Sequence, residues 1–296
     1  MQKEDLTVYV GYRSWNLEIV NYLVRYFSDK YNVIVKDLVK VPLTNKSTTE
    51  LWYALKRSFV LQFRDDFYLF EFDDMSHFKR TRDIVSNDRC IKVLKAQYSP
   101  TTTSHKVMPY TYFARRPLFF EQVVDALYEM SKTKCTNQLY FKGSHKHRMY
   151  LIEEMGDMLM DDWRTRLSLF DYYKELAEQK IALSIPGHGN FTHREIECFG
   201  MGVPVIMPRL LNEYYNVLIP DYHYISVETE VPYDCGETPD NCKAMATAIK
   251  EKYNEVKDDD ELLKTIAGNA KRWYEENVAY PGCMRVTERI LNLEEV

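Results

Sequence analysis

The stretch Ile181–Pro208, IALSIPGHGNFTHREIECFGMGVPVIMP, constrains the fold more than any other. An apolar run from Ile181 to Ile185 ends in Pro186-Gly187-His188-Gly189-Asn190, and a helix signal opens at once. Thr192 is a good N-cap, and Glu195 three residues on completes a Thr-x-x-Glu capping box. The spacing predicts a helix over 192–201, after which Pro204 to Met207 returns as a short apolar strand. Strand, loop, capped helix and strand make a crossover unit, whose ligand-facing edge lies at the carboxyl ends of the strands. The loop glycines let a ligand approach the backbone, and they equally suit a plain tight turn. The positive end of the helix faces this loop and favours a phosphate or other anion.

Three side chains in that helix carry chemistry. Glu195 is accounted for as a capping residue. Arg194, in the first turn, offers a charge-assisted contact to an anion. Glu197 lies three residues after Arg194, on a neighbouring face, where spacing alone leaves open a salt bridge or a carboxylate for a ribose diol. The segment is not a dinucleotide fingerprint, because the third glycine after Gly187-x-Gly189 is missing.

The rest of the chain alternates in the same way. Leu6 to Val10 is an apolar run closed by Gly11, and Leu17, Val20, Leu23, Val24 and Phe27 follow at helical spacing. Strands are expected over 31–38 and 67–72, with a helix over 48–61 between them, so that the first half reads as crossover units on a parallel sheet. The pattern blurs over 87–117, where 107–113 reads as a further strand, and 122–130 is helical. After the polar stretch Ser131-Lys132-Thr133-Lys134 a fresh series begins: strand 138–141, helices 148–160 and 169–179, and a strand at 224–227. A helix over 259–277 breaks at Pro281-Gly282 and resumes to about Leu293. The expected class is α/β in two halves of similar size, 1–134 and 135–280, followed by a helical segment at 281–296.

The 296 residues suffice for two domains with substantial cores. With 39 Lys+Arg against 44 Asp+Glu the formal charge is −5, which gives no overall footprint for nucleic acid. The apolar run after Met1-Gln2-Lys3-Glu4-Asp5 is too short and too acid-flanked for a secretory segment, and no stretch of about 18 apolar residues occurs. A soluble cytoplasmic protein without an integral membrane segment is expected. Its six scattered cysteines, with no C-x-x-C pair, read as reduced thiols.

The order strand, glycine-bearing loop, Arg194-x-x-Glu197, then Gly200-x-Gly202-Val203-Pro204-Val205-Ile206 resembles the donor-site signature of GT-B glycosyltransferases. It is most similar to the exostosin-like group, where Arg-x-x-Glu-Ala precedes a small-residue turn and Pro-Val-Ile; Cys198 stands here in place of the Ala. Tyr140-Phe141-Lys142-Gly143-Ser144 followed by Arg148 resembles that group's Phe-Arg-Gly segment and downstream Arg. The helix broken at Pro281-Gly282 is similar to the kinked GT-B helix that crosses back onto the first domain.

The resemblance implies two Rossmann-like domains facing each other across a cleft, with a nucleotide-sugar donor held by the second, as in compact soluble enzymes of microbes or large viruses. Glu197 would hold the ribose. Thr192, Arg194 and the loop Gly187, His188, Gly189, Asn190 would face the diphosphate or sugar, with Lys142, Gly143 and Arg148 near the phosphates. Such enzymes stabilise the leaving diphosphate with cations and helix dipoles, so neither metal nor cofactor is expected. The implied reaction moves a sugar, a pentose such as xylose being one option, from a UDP-sugar to a hydroxyl of a glycan or glycoprotein. A nucleotide-sugar epimerase or hydrolase, or a non-catalytic nucleotide-sugar or glycan-binding protein, would share the architecture.

Transfer with inversion needs a base. Asp73 and Asp74, closing the strand at 67–72, are the first catalytic candidates, with His77 behind them, although carboxylates there also form turns. Gly11 and Arg13 would border the diphosphate or the acceptor. His145-x-His147 lacks further ligands at metal-site spacing and reads as part of a basic loop suited to phosphate. Tyr214, Tyr215, Tyr222 and Tyr224 fall where a cleft-lining segment is expected.

Overall fold

A computed structural model describes residues 3–11, 16–43, 57–72, 81–102, 104–132, 138–143, 148–159, 165–186, 191–211, 213–229 and 238–292. Its first sheet holds β1 (Asp5–Val10), β2 (Asn32–Asp37), β3 (Ser58–Phe63), β4 (Asp66–Glu71), β5 (Cys90–Lys95) and β6 (Val107–Pro109) in the order β2-β1-β3-β4-β5-β6. β1 runs parallel to β2, and β4, β5 and β6 run parallel to one another. β3 is antiparallel to both β1 and β4.

That strand corrects two expectations. Residues 58–61, read as the end of a helix, form β3, and the sheet is mixed rather than parallel throughout. The cause is local: Phe63 pairs with Asp66 across a two-residue turn in which Arg64 takes φ 56°, and so short a link can join only antiparallel strands. The apolar and aromatic run Ser58-Phe59-Val60-Leu61 suits a buried strand. β5, hidden in the blurred region, carries two lysines, of which Lys95 is buried in an ion pair with Glu71 of the neighbouring strand.

Alternation along the strands sorts the side chains between two faces. Leu6, Val8, Val10, Phe59, Leu61, Phe70, Phe72 and Leu94 join Ile19, Val20, Leu23 and Phe27 of α1 (Leu17–Phe27) in one core. Tyr9, Val60, Leu69 and Val93 pack on the other face against Leu38, Val41, Leu43 and Ile84, the last from the short helix α2 (Arg82–Val85).

The second sheet holds β7 (Ala182–Leu183), β8 (Val205–Pro208) and β9 (Ile225–Val227), all parallel, with Tyr140 bridged to Ala182 at its edge. On one face lie α4 (Met149–Met155) and α7 (Pro239–Val256) over Leu183, Ile206 and Ile225. On the other lie α6 (His193–Met201) and α8 (Asp260–Asn277), with α3 (Pro117–Ser131) and α5 (Leu169–Ala177) against them. Side chains from α6 and α8 enter the same hydrophobic cluster as the inner face of the first sheet. α6 fits there because it carries glycine where neighbours press: a Cβ on Gly200 would stand 2.7 Å from Phe120 and 3.1 Å from Tyr274. Gly202 caps the helix at φ 63°, a left-handed conformation that favours glycine.

The final helix α9 (Gly282–Leu291) lies against elements of the first half. Tyr110 and Thr287 share a buried hydrogen bond of 2.7 Å, Tyr26 donates to Glu288 at 2.9 Å, and Lys92 donates to the Ile290 carbonyl. No described helix is long and apolar enough to cross a membrane.

Candidate functional site

The site is built around the amino end of α6. The capping box forms as the sequence requires: the Thr192 hydroxyl accepts from Arg194 N at 3.3 Å, and Thr192 N donates to Glu195 Oε2 at 2.8 Å. Glu195 also accepts from the Ser184 hydroxyl at 2.5 Å, which fastens the helix to the residue after β7. Burial pushes its carboxyl pKa up, against the lowering effect of the Ser184 and Thr192 hydrogen bonds. Glu195 is thus a structural cap and tie.

Arg194 is buried and turned inward. Nη1 donates to the Leu183 carbonyl at 3.2 Å and Nη2 to the Lys142 carbonyl, while the guanidinium lies 4.5 Å over the Phe141 ring. Burial works against its charge, yet Tyr172, Cys198 and Glu195 beside it together outweigh burial and its pKa is raised. The guanidinium therefore ties the first-turn helix to two neighbouring segments of backbone. Gly143 makes room for it, since a Cβ there would stand 2.9 Å from Nη2.

Glu197, one turn into α6, is fully buried. Its Oε1 accepts from the Tyr173 hydroxyl at 3.1 Å and from Arg115 N at 3.2 Å. It makes no ion pair among the described residues, and Oε2 has no hydrogen-bond partner there. Burial pushes its pKa up, partly offset by Arg115. The Tyr140 hydroxyl, also buried and without a partner among the described residues, lies in the same group of interacting side chains as Tyr172, Glu175 and Arg194. Buried polar atoms left open are costly and infrequent, and a cluster of them is expected where a ligand completes the hydrogen bonding.

Two further cations stand nearby. Lys142 is ion-paired with Glu175 at 2.8 Å, and Arg148 Nε donates to the Pro186 carbonyl at 2.8 Å. The structure thus brings Lys142, Gly143, Arg148 and Arg194 together beside the end of β7, with Thr192 capping the helix that carries Arg194 and Glu197 one turn further along it. Gly187, His188, Gly189 and Asn190 lie outside the described residues, as do Arg13, Asp73, Asp74 and His77. Gly11 follows β1 half-buried, with open space where a Cβ would project. Of the tyrosines expected to line a cleft, Tyr214 and Tyr224 are instead core residues, Tyr214 packing on Phe191 and Trp273.

The sequence reading missed the residues that the first half contributes. Gln97 holds Phe191 reciprocally, donating to its carbonyl at 2.7 Å and accepting from its N–H at 3.4 Å. The Phe113 carbonyl meets His193 Nδ1 at 2.7 Å, and Tyr112 packs on the same imidazole with centroids 4.7 Å apart. Arg115 reaches Glu197 through its backbone, with its own guanidinium over the Tyr172 ring. The signal available was modest: a basic pair, Arg115-Arg116, directly before the helix-opening Pro117.

No family model matches the chain, and no curated protein matches it. Among solved structures, a glycosyltransferase from Rickettsia africae ESF-5 is similar at 11% identity and TM-score 0.44, covering 95% of this chain and 81% of its own. The Anabaena protein HepE, in complex with UDP-glucose, is similar at 10% identity and TM-score 0.42, covering 94% of this chain and 77% of its own. The pneumococcal O-GlcNAc transferase GtfA, in complex with UDP and GlcNAc, is similar at 12% identity and TM-score 0.36, covering 71% of this chain and 46% of its own.

Proposed function

We propose that the chain is a glycosyltransferase that moves a sugar from a nucleotide diphosphate sugar, of the UDP type, to a hydroxyl of a glycan or glycoprotein. The observation that carries this reading is the buried, half-satisfied carboxylate of Glu197. A carboxylate oxygen accepts only, and a ribose diol presents O–H donors of the kind Oε2 lacks. The positive end of α6 and the cations Lys142 and Arg148 suit the diphosphate, and they would stabilise its charge as the sugar leaves without requiring a metal. Arg194 serves this site chiefly by holding its walls. In the same reading the chain has the two-domain GT-B arrangement, with 1–134 on the acceptor side, 135–280 on the donor side and 281–296 closing onto the first.

A thermal-shift screen of the full chain against UDP, UDP-glucose, UDP-GlcNAc and UDP-xylose tests the proposal. A ligand of the native state at 100 times its Kd stabilises by about 2.7 kcal/mol. Stabilisation by a nucleotide sugar, lost in Glu197→Ala, is expected. No response to any nucleotide, or an unchanged response in that variant, overturns the reading; donor breakdown with no dependence on an acceptor would mark a hydrolase instead.

A further inference from the structure

His223 closes a tight turn at the amino end of β9. It is buried, and its Nδ1 lies 2.8 Å from the Ile219 backbone nitrogen. A backbone N–H can only donate, so Nδ1 accepts and the neutral ring carries its hydrogen on Nε2. The turn is knotted around that ring. His223 N donates to the Ile219 carbonyl at 2.9 Å, Asp221 N to the Tyr224 carbonyl at 2.8 Å, and Ser226 N to Asp221 Oδ1 at 2.9 Å. Asp221 takes φ 56°, a left-handed conformation uncommon for a residue other than glycine, and these bonds hold it there. Asn269 of α8 donates to the Tyr222 carbonyl at 3.2 Å, and the Tyr222 ring stands edge-on to the imidazole with centroids 4.8 Å apart.

We propose that His223 is an acid-sensitive clasp: a proton taken up from solvent at Nδ1 breaks the bond from Ile219 N and opens the turn 219–226. Both nitrogens of an imidazolium donate, so Nδ1–H would then point at another N–H. Burial favours the neutral ring by lowering its pKa, and among the described residues no charge adds to that effect or opposes it. The titratable and charged groups on the elements around the ring are Asp221, Tyr222 and Tyr224 in the turn itself, Arg209 and Glu228, which act on Tyr224, and Arg272 on α8, one helical turn from Asn269. The folded value lies below the unfolded value of about 6.5, so the ring's contribution to closure is whole above that pH and is lost as pH falls through the folded value. Leu218 and Tyr224 are buried on either side and anchor the ends, which keeps the opening local. The turn precedes β9, at the edge of the parallel sheet opposite the candidate site beyond β7, so the inference does not depend on the glycosyltransferase reading.

Amide hydrogen exchange of the full chain over a pH series, corrected for the intrinsic pH dependence of exchange, tests the clasp. The amides of Ile219, Asp221, His223 and Ser226 should lose protection together, by about ten-fold per pH unit between about 6.5 and the folded value. Glu213 N, bound to the Tyr98 carbonyl at 3.1 Å, should keep its protection over the same range. In His223→Gln the amide oxygen can accept from Ile219 N and takes up no proton there, so the pH dependence should vanish. Nitrogen NMR of the native imidazole gives a readout that needs no variant. The hydrogen of the neutral ring should sit on Nε2, and the ring should titrate below about 6.5, in step with the loss of amide protection. A neutral ring with its hydrogen on Nδ1, a titration at or above about 6.5, or protection that does not fall with pH overturns the proposal. So does an unchanged pH dependence in His223→Gln, or an equal loss at Glu213 N, which would mark acid unfolding of the whole chain.

Discussion

The Tyr173 hydroxyl donates to Glu197 Oε1 at 3.1 Å and leaves Oε2 of the same carboxylate open. Glu197→Gln turns this asymmetry into a test. The amide oxygen can keep the bonds from Tyr173 and Arg115 N, while an NH₂ in the place of Oε2 cannot accept from a ribose hydroxyl. Donor affinity should fall at least ten-fold, about 1.4 kcal/mol, with the fold retained, as read by calorimetric titration beside thermal melting.

Stability should depend on pH through Glu195 and Glu197, both of whose pKa values are raised by burial. A carboxyl with its folded pKa above its unfolded value binds its proton more tightly in the native state. Its contribution is fully present below the unfolded value, about 4.3, and is lost as pH rises through the folded value. Denaturant unfolding over a pH series should therefore show their contribution growing as pH falls toward the unfolded value of about 4.3. Glu197→Gln should flatten that slope.

Arg194→Ala should destabilise the fold as well as weaken donor binding. The change removes the donors to the Leu183 and Lys142 carbonyls, and hydrogen bonds from charged groups are worth about 1.5–3 kcal/mol each. A fall in stability of about 2–4 kcal/mol in urea titration is expected. Unchanged stability with lost binding would show that the guanidinium acts on the ligand alone.

Gly143→Ala probes the same contact from the other side. Its methyl would stand 2.9 Å from Arg194 Nη2, so the guanidinium must shift away from the Lys142 carbonyl. A loss of about 1–3 kcal/mol is expected, with donor affinity reduced in parallel.

Thr287→Val tests the docking of α9. Valine keeps the shape but leaves the buried Tyr110 hydroxyl without its 2.7 Å partner, which should cost about 1–3 kcal/mol in thermal or urea unfolding.

Much of the second half was legible because local chemistry decides it. Thr192 and Glu195 form the box that their spacing requires, and the helix they open ends at Gly202. β3 was misread because the hairpin depends on Arg64 taking φ 56°, which no apolar pattern announces. α7 went unseen although Thr238 and Pro239 mark its start and Cys242, Met245, Ala246, Ile249, Tyr253 and Val256 recur at helical spacing. The role of Arg194 was not legible at all, since its partners are backbone carbonyls far away in sequence. For the same reason nothing in the string of residues tied Phe113 to His193, 80 positions apart.

The shared hydrophobic cluster carries a last consequence. Phe120 of α3 meets both Tyr173 and Tyr274 edge-on, and Tyr112 meets Phe191 in the same way, so aromatic rings interlock where chain from before Ser131 meets chain from after Gln138. Severing the polypeptide between those two residues would strip rings bare on both fragments. Neither piece is then a self-sufficient folding unit, and the molecule should melt in one cooperative step despite owning a pair of sheets.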